Sequence, residues 1–114
     1  MLISLDFGIT ITDILRKDGD GNLTHQMLPS NQKPSEEFIL ELFKDLNFKN
    51  EVNCLALTGG HHQLIGEKIE QTPVIHVNEV DAIGEGGLAL SNLDPSKPAI
   101  IVSSGSGTAC ILAK

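Results

Sequence analysis

The sequence predicts an α/β domain built around a mixed β-sheet. Residues 1–30 contain short extended runs separated by turns, and β-branched side chains recur at period two in the run at residues 9–15, which is typical of strands and predicts an antiparallel meander. Beyond this region, short apolar runs alternate with stretches at helical spacing. Strands that alternate with helices pair in a largely parallel sheet, so we expect the meander to form its antiparallel edge.

The meander comprises three expected strands, at residues 2–7, 9–15 and 23–28, and Gly8 separates the first two. The segment KDGDGN, residues 17–22, carries the Asp-Gly signal of a hairpin turn. A calcium loop is disfavoured there, because the third ligand, the downstream glutamate and the flanking helices of that pattern are absent from the sequence.

The first expected helix begins at Ser35. Glu36 and Glu37 follow in its first turn, where the helix dipole favours acidic residues. Apolar residues then recur at helical spacing and predict a face that packs on the core. They are Phe38, Ile39, Leu42, Phe43 and Leu46.

The remaining elements follow in alternation. Residues 51–60, EVNCLALTGG, form an almost continuous apolar run that predicts a strand covered on both faces. Residues 61–70 return to helical spacing and predict a second helix, followed by a short strand at residues 72–77. A glycine-containing helix is expected at residues 78–93, and two strands joined by a tight glycine turn are expected at residues 97–114.

Composition restricts the classes of function. At 114 residues the chain is one domain at most. Its net charge of −7 argues against a nucleic-acid partner, since phosphate backbones require clustered Lys and Arg. No apolar run approaches the roughly 20 residues of a membrane span. Cys54 and Cys110 lie in apolar runs of a chain without a secretory signal, so we expect buried, reduced thiols and a cytoplasmic location.

Two glycine turns are the candidate sites of chemistry. The first, DFGIT, places Asp6 at the end of an apolar strand, where a buried charge is costly unless it is paired. The second, SSGSGTA, spans residues 103–109 and lacks the lysine and the helix of a P-loop. Glycines let the backbone approach a phosphate, which amides and hydroxyls then bind. The Asp6 carboxylate can order a hydrated Mg²⁺ on nucleotide phosphates.

These paired turns resemble the two phosphate loops of the actin, sugar-kinase and Hsp70 superfamily. Three segments follow one another along the chain: CLALTGGHHQLIGEKI, VNEVDAIGEGGLAL and IIVSSGSGTACIL. Together they resemble the N-terminal half of type II, or fumble-like, pantothenate kinases, and this similarity covers nearly the whole chain. The resemblance implies a ribonuclease H-like, actin-like ATPase fold with helices on both faces of the sheet. It also implies phosphorylation of pantothenate, with ATP and Mg²⁺ as cofactors.

The resemblance assigns roles to individual residues. Glu79 corresponds to the base that accepts the proton of the pantothenate hydroxyl. Taken alone, Glu79 also fits an acid stabilised by a helix dipole, and Asp81 is interpreted in that structural way. Asp6 would also hold Mg²⁺ through water. The first phosphate loop is matched by Asp6, Gly8 and Thr10, the second by Gly105, Ser106, Gly107 and Thr108, and the substrate cleft by Thr58, Gly59 and Gly60.

The first phosphate loop departs from the family pattern at two positions. Ile9 replaces the second glycine, and Asp13 stands where a lysine is expected. The second change removes a positive charge from the phosphate site. The run TITD, residues 10–13, also resembles the start of hydantoinase and oxoprolinase ATP-binding chains, which share the superfamily fold.

Two adjacent histidines, His61 and His62, follow the glycine pair. Neighbouring residues of a helix point in different directions, so these side chains make a poor metal pair. We expect them either to line the substrate cleft or to face solvent.

Superfamily enzymes close two domains over ATP, and residues 1–114 end just after the second phosphate turn. We therefore expect the chain to be the N-terminal domain of a longer protein, without the C-terminal nucleotide-binding domain and inactive by itself. Exposed apolar surface favours self-association as a homodimer. The alternatives are another superfamily ATPase, of hydantoinase or oxoprolinase type or of activator type, and a non-catalytic binding or assembly module.

Overall fold

The protein is represented by a computed structural model. Its described residues form two compact units, Met1–His76 and Val77–Lys114. No helix within this described part of the chain is long and apolar enough to cross a membrane. The described residues are 1–31, 33–47, 51–105 and 108–113.

A six-stranded mixed sheet forms the centre of the first unit. Its strands are β1 (Leu2–Phe7), β2 (Ile11–Lys17), β3 (Leu23–Pro29), β4 (Cys54–Gly59), β5 (Lys68–Ile69) and β6 (Thr72–His76). Their order across the sheet is β3-β2-β1-β4-β6-β5. β1, β4 and β6 run parallel, so their carboxyl ends share one edge. β2, β3 and β5 pair antiparallel with their neighbours. The predicted α/β class with an antiparallel meander is confirmed.

Helix α1 (Glu36–Asp45) packs on the core of this unit. Ser35 is its N-cap, and the serine Oγ accepts a hydrogen bond from the backbone N–H of Phe38 at 3.1 Å. The predicted apolar face is confirmed, since Ile39, Leu42 and Phe43 are buried and their neighbours on the stripe pack partly against them. The sheet and its connections supply Ile3, Leu5, Phe7, Ile14, Leu55, Leu57, Ile65, Ile69 and Val74 to the same cluster.

The second unit contains helix α2 (Glu79–Ser91) packed against a hairpin of β7 (Ala99–Ser104) and β8 (Thr108–Ala113). The helix and the hairpin approach each other closely at Gly87. A Cβ atom at this position would lie 2.5 Å from Cγ2 of Ile101. Glycine is therefore required on the face of α2 that meets β7.

The segment at residues 61–70 is not the predicted helix. It contains a 3₁₀ turn, His62–Leu64, followed by β5. Ile65 and Ile69 are buried, but a spacing of four residues also fits alternate positions of an extended chain. Ile65 has extended dihedral angles, φ −95° and ψ 136°, while Leu64 is 64% exposed. The helical interpretation is wrong, because Ile65 and Ile69 reach the core from an extended backbone and not from a helix.

Two further details differ from the sequence prediction. β2 begins at Ile11 rather than at residue 9, because residues 8–10 form the turn after β1. Cys110 is exposed rather than buried, whereas Cys54 is half-buried, and both cysteines are free thiols. Cys110 belongs to an apolar run of the sequence, but it lies on a strand of the two-stranded hairpin, where one face of the strand is exposed.

The hairpin turn at residues 18–22 is confirmed, since Lys17 pairs with Leu23. The Asp18 carboxylate stabilises this turn by accepting hydrogen bonds from the backbone N–H groups of Asn22 and Asp20, each at 2.9 Å. The bond from Asn22 is the largest cause that lowers the pKa of Asp18. The role of the Asp18 carboxylate is therefore to stabilise the hairpin turn.

Candidate functional site

The carboxyl ends of β1 and β4 bring Asp6 beside Thr58. The two residues are register partners in the parallel pair, so their side chains lie on the same face of the sheet. Both are half-buried. The Oγ1 atom of Thr58 is buried and has no hydrogen-bond partner among the described residues. Leaving a buried hydroxyl unsatisfied costs about 1–3 kcal/mol, which a hydrogen-bonding ligand would recover.

The two glycines after Thr58 hold this segment against the end of β1. Gly59 has a φ of +93°, and a Cβ there would lie 2.6 Å from the backbone of Phe7 and 2.7 Å from Oδ1 of Asp6. Gly60 donates its N–H to the carbonyl oxygen of Phe7 at 2.8 Å. The predicted cleft residues at 58–60 therefore meet the end of β1, where Asp6 lies.

The turn after β1 contains the other residues predicted for the first phosphate loop. The N–H of Gly8 donates to the carbonyl oxygens of Asp6, at 3.1 Å, and of Ile11, at 3.0 Å. A Cβ on Gly8 would collide with the same carbonyl of Ile11, so glycine is needed here. The Thr10 carbonyl accepts a hydrogen bond from the backbone N–H of Ser30 at 2.9 Å.

Ser30 contacts this turn and was not predicted from the sequence. Its Oγ donates to the Gly8 carbonyl at 2.8 Å and lies 2.9 Å from Oγ1 of Thr12. Thr12 is only 3% exposed. A threonine on the buried face of a strand requires a hydrogen-bond partner, and Ser30 supplies it.

Asp13 replaces the lysine that the family resemblance leads one to expect. Its Oδ1 lies 2.8 Å from Nε2 of His25 on β3, and both side chains are about half-exposed. A protonated His25 forms an ion pair with this carboxylate, and exposed pairs of this kind contribute about 0–1 kcal/mol. The position that would carry a cation thus carries a paired carboxylate.

The adjacent histidines His61 and His62 have different environments in the structure. His61 is exposed, whereas His62 is 5% exposed and contacts His76 of β6, with 2.9 Å between their Nδ1 atoms. Nε2 of His76 lies 3.2 Å from the carbonyl oxygen of Gly66. For His62, the alternative of a solvent-facing side chain is wrong, because this residue is buried. No cluster of three or more potential metal ligands occurs among the described residues.

Glu79, the predicted catalytic base, is the first residue of α2 and is exposed. Asn78 caps the helix, since its Oδ1 accepts a hydrogen bond from the N–H of Val80 at 2.8 Å. Asp81 occupies the same first turn and is also exposed. Both acids are stabilised by the helix dipole, so this interaction alone does not distinguish their roles.

The second predicted phosphate loop is the turn between β7 and β8. Ser104 and Thr108 are the last paired residues of the hairpin. A Cβ on Gly105 would meet no atom of the described residues within 4 Å. Ser106 and Gly107 lie outside the described residues.

The chain has an α/β fold of the ribonuclease H-like, actin-like type. Among solved structures, it is similar to YeaZ from Pseudomonas aeruginosa, with a TM-score of 0.53 and 14% sequence identity. The match covers 99% of this chain and 65% of that chain. No protein-family model and no curated protein matches the sequence. At this identity the likeness shows the fold alone.

Proposed function

We propose that this chain is the N-terminal domain of a longer enzyme that transfers the γ-phosphoryl group of ATP to pantothenate. The main observation in support of the proposal is that Asp6 lies next to Thr58 and Gly59 at the carboxyl ends of the parallel strands β1 and β4. Open α/β sheets bind their ligands at this edge. The ordered motifs at Thr58, Glu79 and Gly105 resemble those of type II pantothenate kinases, and the actin-like fold agrees with them.

The residues around the first turn suit nucleotide phosphates with Mg²⁺. The Asp6 carboxylate would accept hydrogen bonds from water bound to Mg²⁺ and so orient the hydrated ion. The buried hydroxyl of Thr58 offers a hydrogen bond, and the turn at residues 8–10, which follows β1 in the chain, is exposed. When bound, ATP would supply the phosphoryl group, and Mg²⁺ would neutralise charge on the phosphate oxygens.

Glu79 acts as the general base. Its carboxylate accepts the proton of the pantothenate hydroxyl as that oxygen bonds to the γ-phosphorus and the bond from phosphorus to the departing ADP breaks. Asn78 caps the first turn of α2 and so holds the backbone that carries Glu79. A positioned base of this kind contributes roughly 10²- to 10⁴-fold to the rate.

The test is a coupled ADP-release assay on the full-length protein, with pantothenate and with control polyols. Glu79→Gln removes the base, whereas Asp81→Asn removes an exposed acid from the same helical turn and serves as the matched control. We expect kcat to fall by roughly 100-fold or more in the first variant and by less than about threefold in the second. Equal losses in both variants would contradict the role of Glu79.

The same assay separates the alternatives. ADP release that is indifferent to pantothenate would indicate another superfamily ATPase, of hydantoinase, oxoprolinase or activator type. No release from a folded full-length protein would indicate a non-catalytic binding or assembly module. A homodimer and a cytoplasmic location, without nucleic-acid or membrane partners, belong to the proposal, and sedimentation analysis of the full-length protein tests the dimer.

A further inference from the structure

Ser30 holds the turn at residues 8–10 at two points. Its side chain donates to the carbonyl of Gly8 at 2.8 Å, and its backbone N–H donates to the carbonyl of Thr10 at 2.9 Å. We infer that Ser30 is a positioning residue for phosphate binding by this turn. The inference deepens the proposed function and rests on it, because it assigns a role in binding ATP at the same site.

The hydrogen bonds at Ser30 have a defined direction. The Gly8 carbonyl can only accept, so the hydroxyl proton of Ser30 points to it. The contact of 2.9 Å between Thr12 and Ser30 is then made by the threonine hydroxyl donating to Ser30 Oγ. Thr12 is buried, so this chain of two hydrogen bonds links the turn to the core and each bond strengthens the other.

The direction of the Gly8 carbonyl also determines the direction of the next amide. The peptide bonds of the described chain include no cis bond, and the C=O and N–H of a trans peptide point in opposite directions. When Ser30 holds the Gly8 carbonyl, the N–H of Ile9 is directed to the opposite side. Backbone N–H groups of turns bind phosphate, so loss of the Ser30 hydroxyl would free the Ile9 amide to rotate away from a bound phosphate.

The experiment measures KM for ATP and kcat in the full-length protein for Ser30→Ala, Ser30→Thr and Thr12→Val. Ser91→Ala is the matched control, because Ser91 Oγ also donates to a backbone carbonyl, that of Leu88, at 2.9 Å. We expect Ser30→Ala to raise KM about five- to tenfold, with kcat changed less than about twofold. Ser30→Thr keeps the hydroxyl, so KM should remain near that of the wild type.

Thr12→Val keeps the hydrogen bond from Ser30 to the Gly8 carbonyl but removes the threonine hydroxyl that donates to Ser30 Oγ. We therefore expect a smaller rise in KM, about twofold. This variant tests the inference even if Ser30→Ala does not fold. A KM in Ser30→Ala and Thr12→Val equal to that of Ser91→Ala would overturn the inference, whatever the changes in melting temperature.

Equilibrium binding of Mg·ADP to the same variants separates this inference from the proposed function. If pantothenate is not a substrate but Ser30→Ala weakens Mg·ADP binding and the control Ser91→Ala does not, the role of Ser30 stands without the kinase reaction. If the wild-type protein does not bind Mg·ADP, the inference is overturned together with the proposed nucleotide site.

Discussion

Asp6 and Asp13 lie directly opposite each other in the antiparallel pair of β1 and β2. Their side chains share one face of the sheet, and like charges in this arrangement are destabilising. Oδ1 of Asp13 lies 2.8 Å from Nε2 of His25, and a protonated His25 offsets part of the charge of Asp13. The residue that stands in place of an expected lysine therefore adds negative charge next to the carboxylate proposed to order Mg²⁺.

Asp13→Asn should lower KM for ATP in the full-length protein. Removal of one negative charge near a phosphate site is worth about 1 kcal/mol at most in water, so we expect a decrease of roughly two- to fivefold. Asp20→Asn makes the same change in net charge within the exposed hairpin turn and serves as the control. A decrease of the same size in both variants would show a general effect of net charge.

Gly59→Ala should destabilise the first unit far more than Gly60→Ala. At position 59 the positive φ and the backbone of Phe7 both oppose a Cβ, whereas at position 60 the nearest atom is 3.6 Å away. We expect a loss of roughly 2–4 kcal/mol in the first variant and less than about 0.5 kcal/mol in the second. Urea unfolding measures both values, and similar losses would contradict the geometry at the end of β4.

The contact between His62 and His76 predicts the tautomers of both rings. Nε2 of His76 must donate to the Gly66 carbonyl, so Nδ1 of a neutral His76 accepts from Nδ1–H of His62. Long-range ¹H–¹⁵N spectra at alkaline pH should show the proton of His62 on Nδ1 and that of His76 on Nε2. The exposed His61 provides the reference signal in the same spectrum. A proton on Nε2 of His62 instead of Nδ1 would contradict this arrangement.

Adjacent glycines of α2 should respond oppositely to substitution by alanine. A Cβ on Gly86 would meet no atom within 4 Å, so alanine should stabilise the helix by up to about 1 kcal/mol. A Cβ on Gly87 would meet Ile101 at 2.5 Å, and overpacking should outweigh the helical gain, with a net loss of up to about 2 kcal/mol. Denaturant unfolding of the two variants compares them directly, and equal stabilities would show that α2 does not pack closely on β7.

The candidate site was predictable only as far as strand ends and turns could be recognised. Asp6 and the segment at residues 58–60 each lie at the end of an apolar strand, and the carboxyl ends of parallel strands meet at one edge. Ser30 could not be assigned in this way, because its contact with Gly8 depends on the register between β2 and β3. The roles assigned to Glu79 and to the second glycine turn remain predictions.

The sequence by itself determined the features that depend on neighbouring residues. Alternating apolar side chains specify β1, and the cap at Ser35 with the apolar stripe behind it specifies α1, because both signals act within a few residues. Only the tertiary structure decided the course of residues 61–70 and the contact between His62 and His76. Buried residues four apart fit both a helix and an extended chain, and only packing against the rest of the sheet selects between them.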